Sequence, residues 1–195
     1  MCRGIRSIRF TDKRNREIGK VSLAGSPATS RPKPSLITDA YREQNRLMHN
    51  NAKYGVASIA YATAIMENAR NVAASHILDY GCGKQHLKRL LEPMGFVVHG
   101  YDPALPEVAA TPSPCEFVAC IDVLEHVEPE LLPNVLEDLA RVTIRHGFYT
   151  VGTDPAHRLM PDGTNPHKTI EPIGWWQGQL FKYFKLSEVH QATPG

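Results

Sequence analysis

The chain has 195 residues, 42% hydrophobic and 22% charged, which is the usage of one globular domain long enough to bury a core. Its four cysteines, Cys2, Cys82, Cys115 and Cys120, have neither the density of a disulfide scaffold nor paired CxxC spacing, which excludes a thiolate zinc site and points to a reducing compartment. No apolar run reaches the roughly 18 to 20 residues that span a bilayer, and no apolar stretch follows the first arginines, so a cytoplasmic protein with no membrane partner is expected.

Charge is placed unevenly along the chain. Residues 1–35 carry nine Lys or Arg against Asp12 and Glu17, a net of +7 that leaves −5 for the rest. Such a segment is either an arm that gathers nucleic-acid phosphates or a solvated tail or surface hairpin turning at "DKRN". "AGSPATSRPKPS" after it, rich in Pro and Ser and without periodicity, reads as a linker. Residues 1–35 are therefore read as a basic, flexible segment and 36–195 as the folded domain. Thr38 is placed to cap a helix through "DAYREQNRLMHN", and "VASIAYATAIMENARNVAAS" follows as a second. Both are expected to cover one side of a sheet.

From His76 onward short apolar strands alternate with helices: "HILDY", "KQHLKRLLEPM", "FVVHGYD", a Pro-rich passage, "EFVACID", "PELLPNVLEDLARV" and "GFYTVGT". Parallel neighbours need crossovers, so this order predicts a doubly wound α/β sheet. Ligands of such sheets lie outside the carboxyl ends of the strands, where "DYGCGKQ" ends the first of them. Gly81 and Gly83 allow a tight turn and a close backbone approach, with Cys82 between them, and Asp79 supplies an acceptor. Asp102, about 20 residues beyond at the end of the next strand, is placed to accept from ribose hydroxyls. A nucleoside-containing cofactor is implied. NAD is the weaker candidate, because Gln85 stands where a dinucleotide turn has its third glycine and no second mononucleotide-binding half follows.

"ILDYGCGK", "GYDPA" and "FVACIDVLEHV" occur in the order and at the strand ends found in class I S-adenosylmethionine-dependent methyltransferases, which the chain resembles from about residue 38 to its end. The resemblance implies a Rossmann-like sheet with N-terminal covering helices, and S-adenosylmethionine as cofactor. It implies that Asp79, Gly81 and Gly83 line the methionine part, Asp102 the ribose, and Asp122 the end of the fourth strand beside the sulfonium. Two departures stand out: Gln85, and the interval "DPALPEVAATPSPCE", too short for a full helix plus strand, so the family's third strand is abbreviated or absent.

"IDVLEHVEPE" gathers Asp122, Glu125 and His126 on one side of a helical turn. The plain role of the Glu-His pair is to brace the strand-to-helix turn. The sharper reading adds His157 and His167 from the loop after the last strand. Asp122, Glu125, His126 and a downstream His followed by an acid and tryptophans resemble the metal site of the small-RNA 3′-terminal 2′-O-methyltransferases. That resemblance implies Asp122, Glu125, His126 and His167 as ligands of a divalent ion, for which mixed oxygen and imidazole donors suit Mg²⁺, Mn²⁺ or Fe²⁺. Methyl transfer also needs a group to take the acceptor's proton, for which His126, His157 and His167 are the candidates. Of Trp175 and Trp176, at least one is expected in the core and the other is available to stack on substrate.

Three functions follow. The first is a methyltransferase acting on a hydroxyl, amine or carboxyl group of a small molecule or nucleotide. The second is an RNA or DNA methyltransferase that collects its substrate with the basic N-terminus, ribose 2′-O-methylation included. The third is a non-catalytic protein with a degenerate cofactor site. The first is preferred, since no NPPY-type amide loop of base N-methyltransferases follows the fourth strand.

Overall fold

The computed structural model of the protein describes residues 5–12, 34–51 and 54–191. Its strands are β1 (Ile5–Asp12), β2 (His76–Tyr80), β3 (Val97–Tyr101), β4 (Cys115–Ile121), β5 (Thr143–Gly152) and β6 (Phe184–Gln191), in one sheet ordered β3-β2-β4-β5-β1-β6. The helices are α1 (Asp39–His49), α2 (Ser58–Asn71), α3 (His86–Leu91), α4 (Leu132–Val142) and α5 (Ile173–Leu180). β3, β2, β4 and β5 pair in parallel, which is the Rossmann-like core expected from the alternation of strands and helices.

Because helices cover both faces of this core, β2, β4 and the second half of β5 are buried almost end to end, and successive side chains go to opposite layers. Leu78, Tyr80, Val118, Cys120, Tyr149 and Val151 pack on one side with α4 and α5. Ile77, Phe117, Ala119, Ile121 and Phe148 pack on the other with α2 and α3. The interval after β3 forms a single 3-10 turn, Pro106–Val108, and no strand lies outside β3 among the described residues. The third strand of the family is thus missing, as its short interval required.

Two elements depart from expectation. Ile5–Asp12, read as part of a separable basic segment, is a sheet strand, antiparallel to both β5 and β6. Its weak alternation gave no sign that its backbone would find partners more than 130 residues away; residues 13–33 lie outside the described residues. The helix α1 is the second departure. Instead of covering a sheet face, as α2 does, it lies over the carboxyl ends of the strands, with Ile37, Tyr41 and Met48 packed on Ala104 and Met160. Thr38 caps it, accepting from the Tyr41 N–H at 3.2 Å, and the Glu128 carboxylate holds the cap through the Thr38 N–H (3.1 Å) and hydroxyl (2.5 Å).

Candidate functional site

A cavity of about 560 Å³ lies between α1 and the strand ends, within the range of small-molecule and cofactor sites. Asp79, Gly81, Cys82, Gly83, Asp102 and Asp122, the six residues expected around a cofactor, all line it. Tyr41, Asn45 and His49 of α1 form its roof, and His126 belongs to its wall.

The turn after β2 is held by the Tyr101 carbonyl, which accepts from the N–H groups of Gly81 (2.7 Å) and Cys82 (3.0 Å). Gly81 has φ +80° and Gly83 +45°, backbone that favours glycine. What a side chain there would strike is protein: a Cβ on Gly81 would lie 2.3 Å from Val123 Cγ2, and one on Gly83 2.9 Å from His49 Cε1. Gln85, where a third glycine was expected, also adopts the left-handed conformation (φ +57°), and its Cγ lies 3.4 Å from where Gly100 would carry a Cβ. Its side chain thus covers β3 at the helix start and does not line the cavity. Cys82 packs on the same glycine, and burial pushes its thiol pKa far up, so it is a shaped wall and no nucleophile.

Of the carboxyl groups that line the cavity, Asp102 and Asp79 are in different states. Asp102 accepts from the Gly83 N–H (3.1 Å) and the Ala104 N–H (2.9 Å), so its position is fixed. Asp79 is 2% exposed, and its Oδ2 has no hydrogen-bond partner among the described residues. Burial, with Asp102 adding repulsion, raises its pKa to about 7. A buried polar atom left open on a cavity wall is a place where a ligand donor is required. This open acceptor, together with the fixed Asp102, fits the ammonium and ribose groups of S-adenosylmethionine.

Beside this cavity the strand ends of β4 and β5 carry a second constellation. One donor atom from each of Glu125, His126 and His167 lies within 4.8 Å of the other two. Glu125 is fixed at both ends: its Oε1 accepts from the Gly152 N–H at 2.7 Å, and its carbonyl accepts from the N–H groups of Lys168 (2.7 Å) and Thr169 (3.0 Å). Its Oε2 is buried with no partner among the described residues, and burial, with Asp122 next, pushes the pKa of the carboxyl well up. The Nδ1 of His126 lies 3.2 Å from the Pro166 carbonyl and that of His167 2.6 Å from the Asp154 carbonyl. A carbonyl only accepts, so each Nδ1 carries a proton and each Nε2 is left outside that bond. Burial, with His167 adding repulsion, lowers the His126 pKa to about 3, so its imidazole is neutral. Two imidazoles, each tied through Nδ1–H to a backbone carbonyl, and one carboxyl oxygen without a partner are the kind of donor set that can hold a divalent cation. Gly152 makes room for the Glu125 and His167 side chains, since a Cβ there would lie 2.9 Å from both Glu125 Oε1 and His167 Cε1.

Not every expected residue joins. Asp122 stands outside this group: its Oδ1 accepts from the Thr150 hydroxyl at 2.8 Å, while its own N–H donates to that hydroxyl at 2.9 Å. A φ of +51° re-aims the chain there, and burial raises its carboxyl pKa. His157 is exposed and does not line the cavity. His126, with its pKa lowered to about 3 by burial, is a poor proton acceptor. Trp176 is fully buried in the core and Trp175 packs edge-on against it at 5.1 Å; neither lines the cavity.

Sequence reasoning passed over Tyr41, His49 and Asn165. Asn165 organises the loop before His167: its amide exchanges hydrogen bonds with Ala156 (3.2 and 3.0 Å), and its Oδ1 also accepts from the His167 N–H at 2.9 Å. An Asn two residues before the histidine is the signature of an Asx turn, and "TNPH" carried it. Tyr41 and His49 gave no such sign, because on an amphipathic helix they read as ordinary positions.

No curated protein matches the chain. A family model described as a methyltransferase domain matches residues 57–185, well over half of its length, from α2 to the start of β6. With the parallel Rossmann-like core and the glycine turn at its first strand already described, that match makes the chain a member of the class I S-adenosylmethionine-dependent methyltransferase family.

Proposed function

We propose that this methyltransferase modifies a small molecule or nucleotide whose hydroxyl is presented at Glu125, His126 and His167 through a divalent cation. The observation that carries this reading is the convergence of these three groups beside the cavity, whose wall His126 shares, with Oε2 of Glu125 left without a partner among the described residues. Asp79 then meets the charged amino-acid end of the cofactor, Asp102 its ribose, and the Gly81 to Gly83 turn its close approach. S-adenosylmethionine supplies a methyl carbon already activated by its positive sulfur, so the protein has chiefly to align the acceptor and relieve it of a proton. A bound Mg²⁺, Mn²⁺ or Fe²⁺ supplies positive charge that lowers the pKa of a coordinated hydroxyl. Glu125 balances that charge, and the two carbonyl-tied histidines keep the donor set in place.

Titration of Mn²⁺ into the purified protein is expected to show one ion per chain, lost in Glu125→Gln and in His167→Ala, with affinity for S-adenosylhomocysteine unchanged. A chain that binds S-adenosylhomocysteine but no divalent ion would remove the cation and leave Glu125 and His126 as a brace for the turn. The N-terminal charge of +7 favours a second reading, an RNA or DNA acceptor. Oligonucleotide affinity that falls steeply with salt would select it.

A further inference from the structure

The roof of the cavity carries a buried imidazole that neither the glycine turn nor the three-donor centre uses. His49, at the end of α1, has a side chain only 9% exposed; its Nδ1 is buried without a partner among the described residues, and its Nε2 stands 4.0 Å from Oδ2 of Asp102. The ring is built into place. It packs edge-on against Tyr54, with centroids 5.1 Å apart. Its Cε1 would lie 3.1 Å from a Cβ on Gly55 and 2.9 Å from one on Gly83, so two glycines with positive φ leave room for it. A buried imidazole with no hydrogen bond is costly, and a gap of 4.0 Å to a carboxylate is too long for a direct bond. A hydroxyl set beside the gap closes it. At about 2.8 Å from each group it donates its proton to Asp102 and accepts from the imidazole N–H, and of common ligand groups a hydroxyl both donates and accepts at one atom.

We propose that His49 pairs with Asp102 to bind a ribose hydroxyl of the cofactor, making α1 part of the cofactor site as well as its cover. This rests on the placement of the ribose at Asp102 under the proposed function. Burial lowers the His49 pKa, which keeps the ring neutral, with one N–H and one lone pair.

The experiment is a cycle of two changes, one in the protein and one in the ligand, read by calorimetry. Wild type and His49→Ala are each titrated with S-adenosylhomocysteine and with its 2′-deoxy and 3′-deoxy forms. Wild type is expected to bind the parent compound about tenfold better than at least one deoxy form, the worth of one hydrogen bond to a carboxylate. In His49→Ala the parent should lose about tenfold and that preference should shrink towards none, while His49→Gln, whose amide keeps a donor, should recover part of both. Equal losses for parent and deoxy forms in His49→Ala would overturn the proposal and make the ring a packing residue. Unchanged affinity in His49→Ala would overturn it as well. Failure of wild type to bind any of the three would overturn the cofactor placement itself, a result distinct from the other two.

Discussion

The helices α1 and α4 are the same length, eleven residues each, and both turn one face inward, yet they meet opposite surroundings. The inner face of α4 is Leu132, Val135, Leu136, Leu139 and Val142, packed against the sheet, and its one buried carboxyl group, Asp138, already accepts from the Tyr80 hydroxyl at 3.0 Å. α1 turns Tyr41, Asn45 and His49 over a cavity, and is held by polar ties: Thr38 to Glu128, and the Tyr41 hydroxyl to the Pro166 carbonyl at 2.9 Å. Lys168 adds its ammonium over the Tyr41 ring at 5.2 Å. Apolar burial needs only shape and area, so α4 is complete without a partner. A polar inner face is complete only when its donors and acceptors are met, and in α1 the Nε2 of His49 stops 4.0 Å short of the Asp102 carboxylate. One helix closes a core and the other roofs a cavity.

That contrast can be broken most sharply on the α4 side. Leu136→Ala removes a side chain 2% exposed in the middle of the core and should cost about 2 to 5 kcal/mol in urea unfolding. Affinity for S-adenosylhomocysteine in the folded fraction should stay as it was. A drop in affinity at full folding would mean that α4 also positions the site.

Asp79, below the roof, sharpens the comparison through pH. Its folded pKa of about 7 lies above its ordinary value of 3.8, so between those values the folded protein keeps a proton that the unfolded chain has released. Its contribution to stability therefore falls as pH rises through that window and stays lost above it. Asp79→Asn should stabilise the ligand-free protein at pH 8 by roughly 1 to 3 kcal/mol, the cost of an unmet buried polar group, and flatten the slope between pH 4 and 7. Thermal midpoints at both ends of the range measure this, and an unchanged slope would assign it to another carboxyl group.

The smallest change acts on the α1 side. Thr38→Ala removes the cap and one of two links to Glu128, and should cost about 1 kcal/mol of stability. Unlike Leu136→Ala, it should also weaken the binding of S-adenosylhomocysteine by a few-fold, because the roof must be in place to meet it. Amide hydrogen exchange across residues 39–49 should quicken while that of residues 132–142 does not.

Most of what could be read from the sequence lay in short stretches whose backbone and chemistry are local. "HILDYGCGK" fixed a buried strand, a tight turn and two glycines within nine residues, and every one of them lines or shapes the cavity. "DVLEH" brought Glu125 and His126 together because they are neighbours in the chain, whatever surrounds them. The alternation of apolar strands with helices determined the parallel core, since only crossovers connect such strands. Tertiary structure decided what depends on distance along the chain. β1 owes its place to backbone pairing with β5 and β6, which no side-chain pattern announces. His167 meets Glu125 and His126 because Asn165 and the carbonyl of Glu125 fold its loop back, while His157, in the same loop, is left outside. Asp122 was drawn off to Thr150 by a hydrogen bond across two strands. His49 reached Asp102 because α1 crosses the strand ends instead of lying on the sheet, a choice made by the packing of Tyr41 and Met48 against residues more than 50 positions away. Local periodicity determines which way a side chain can face along its own element; what it then meets is settled when the elements pack.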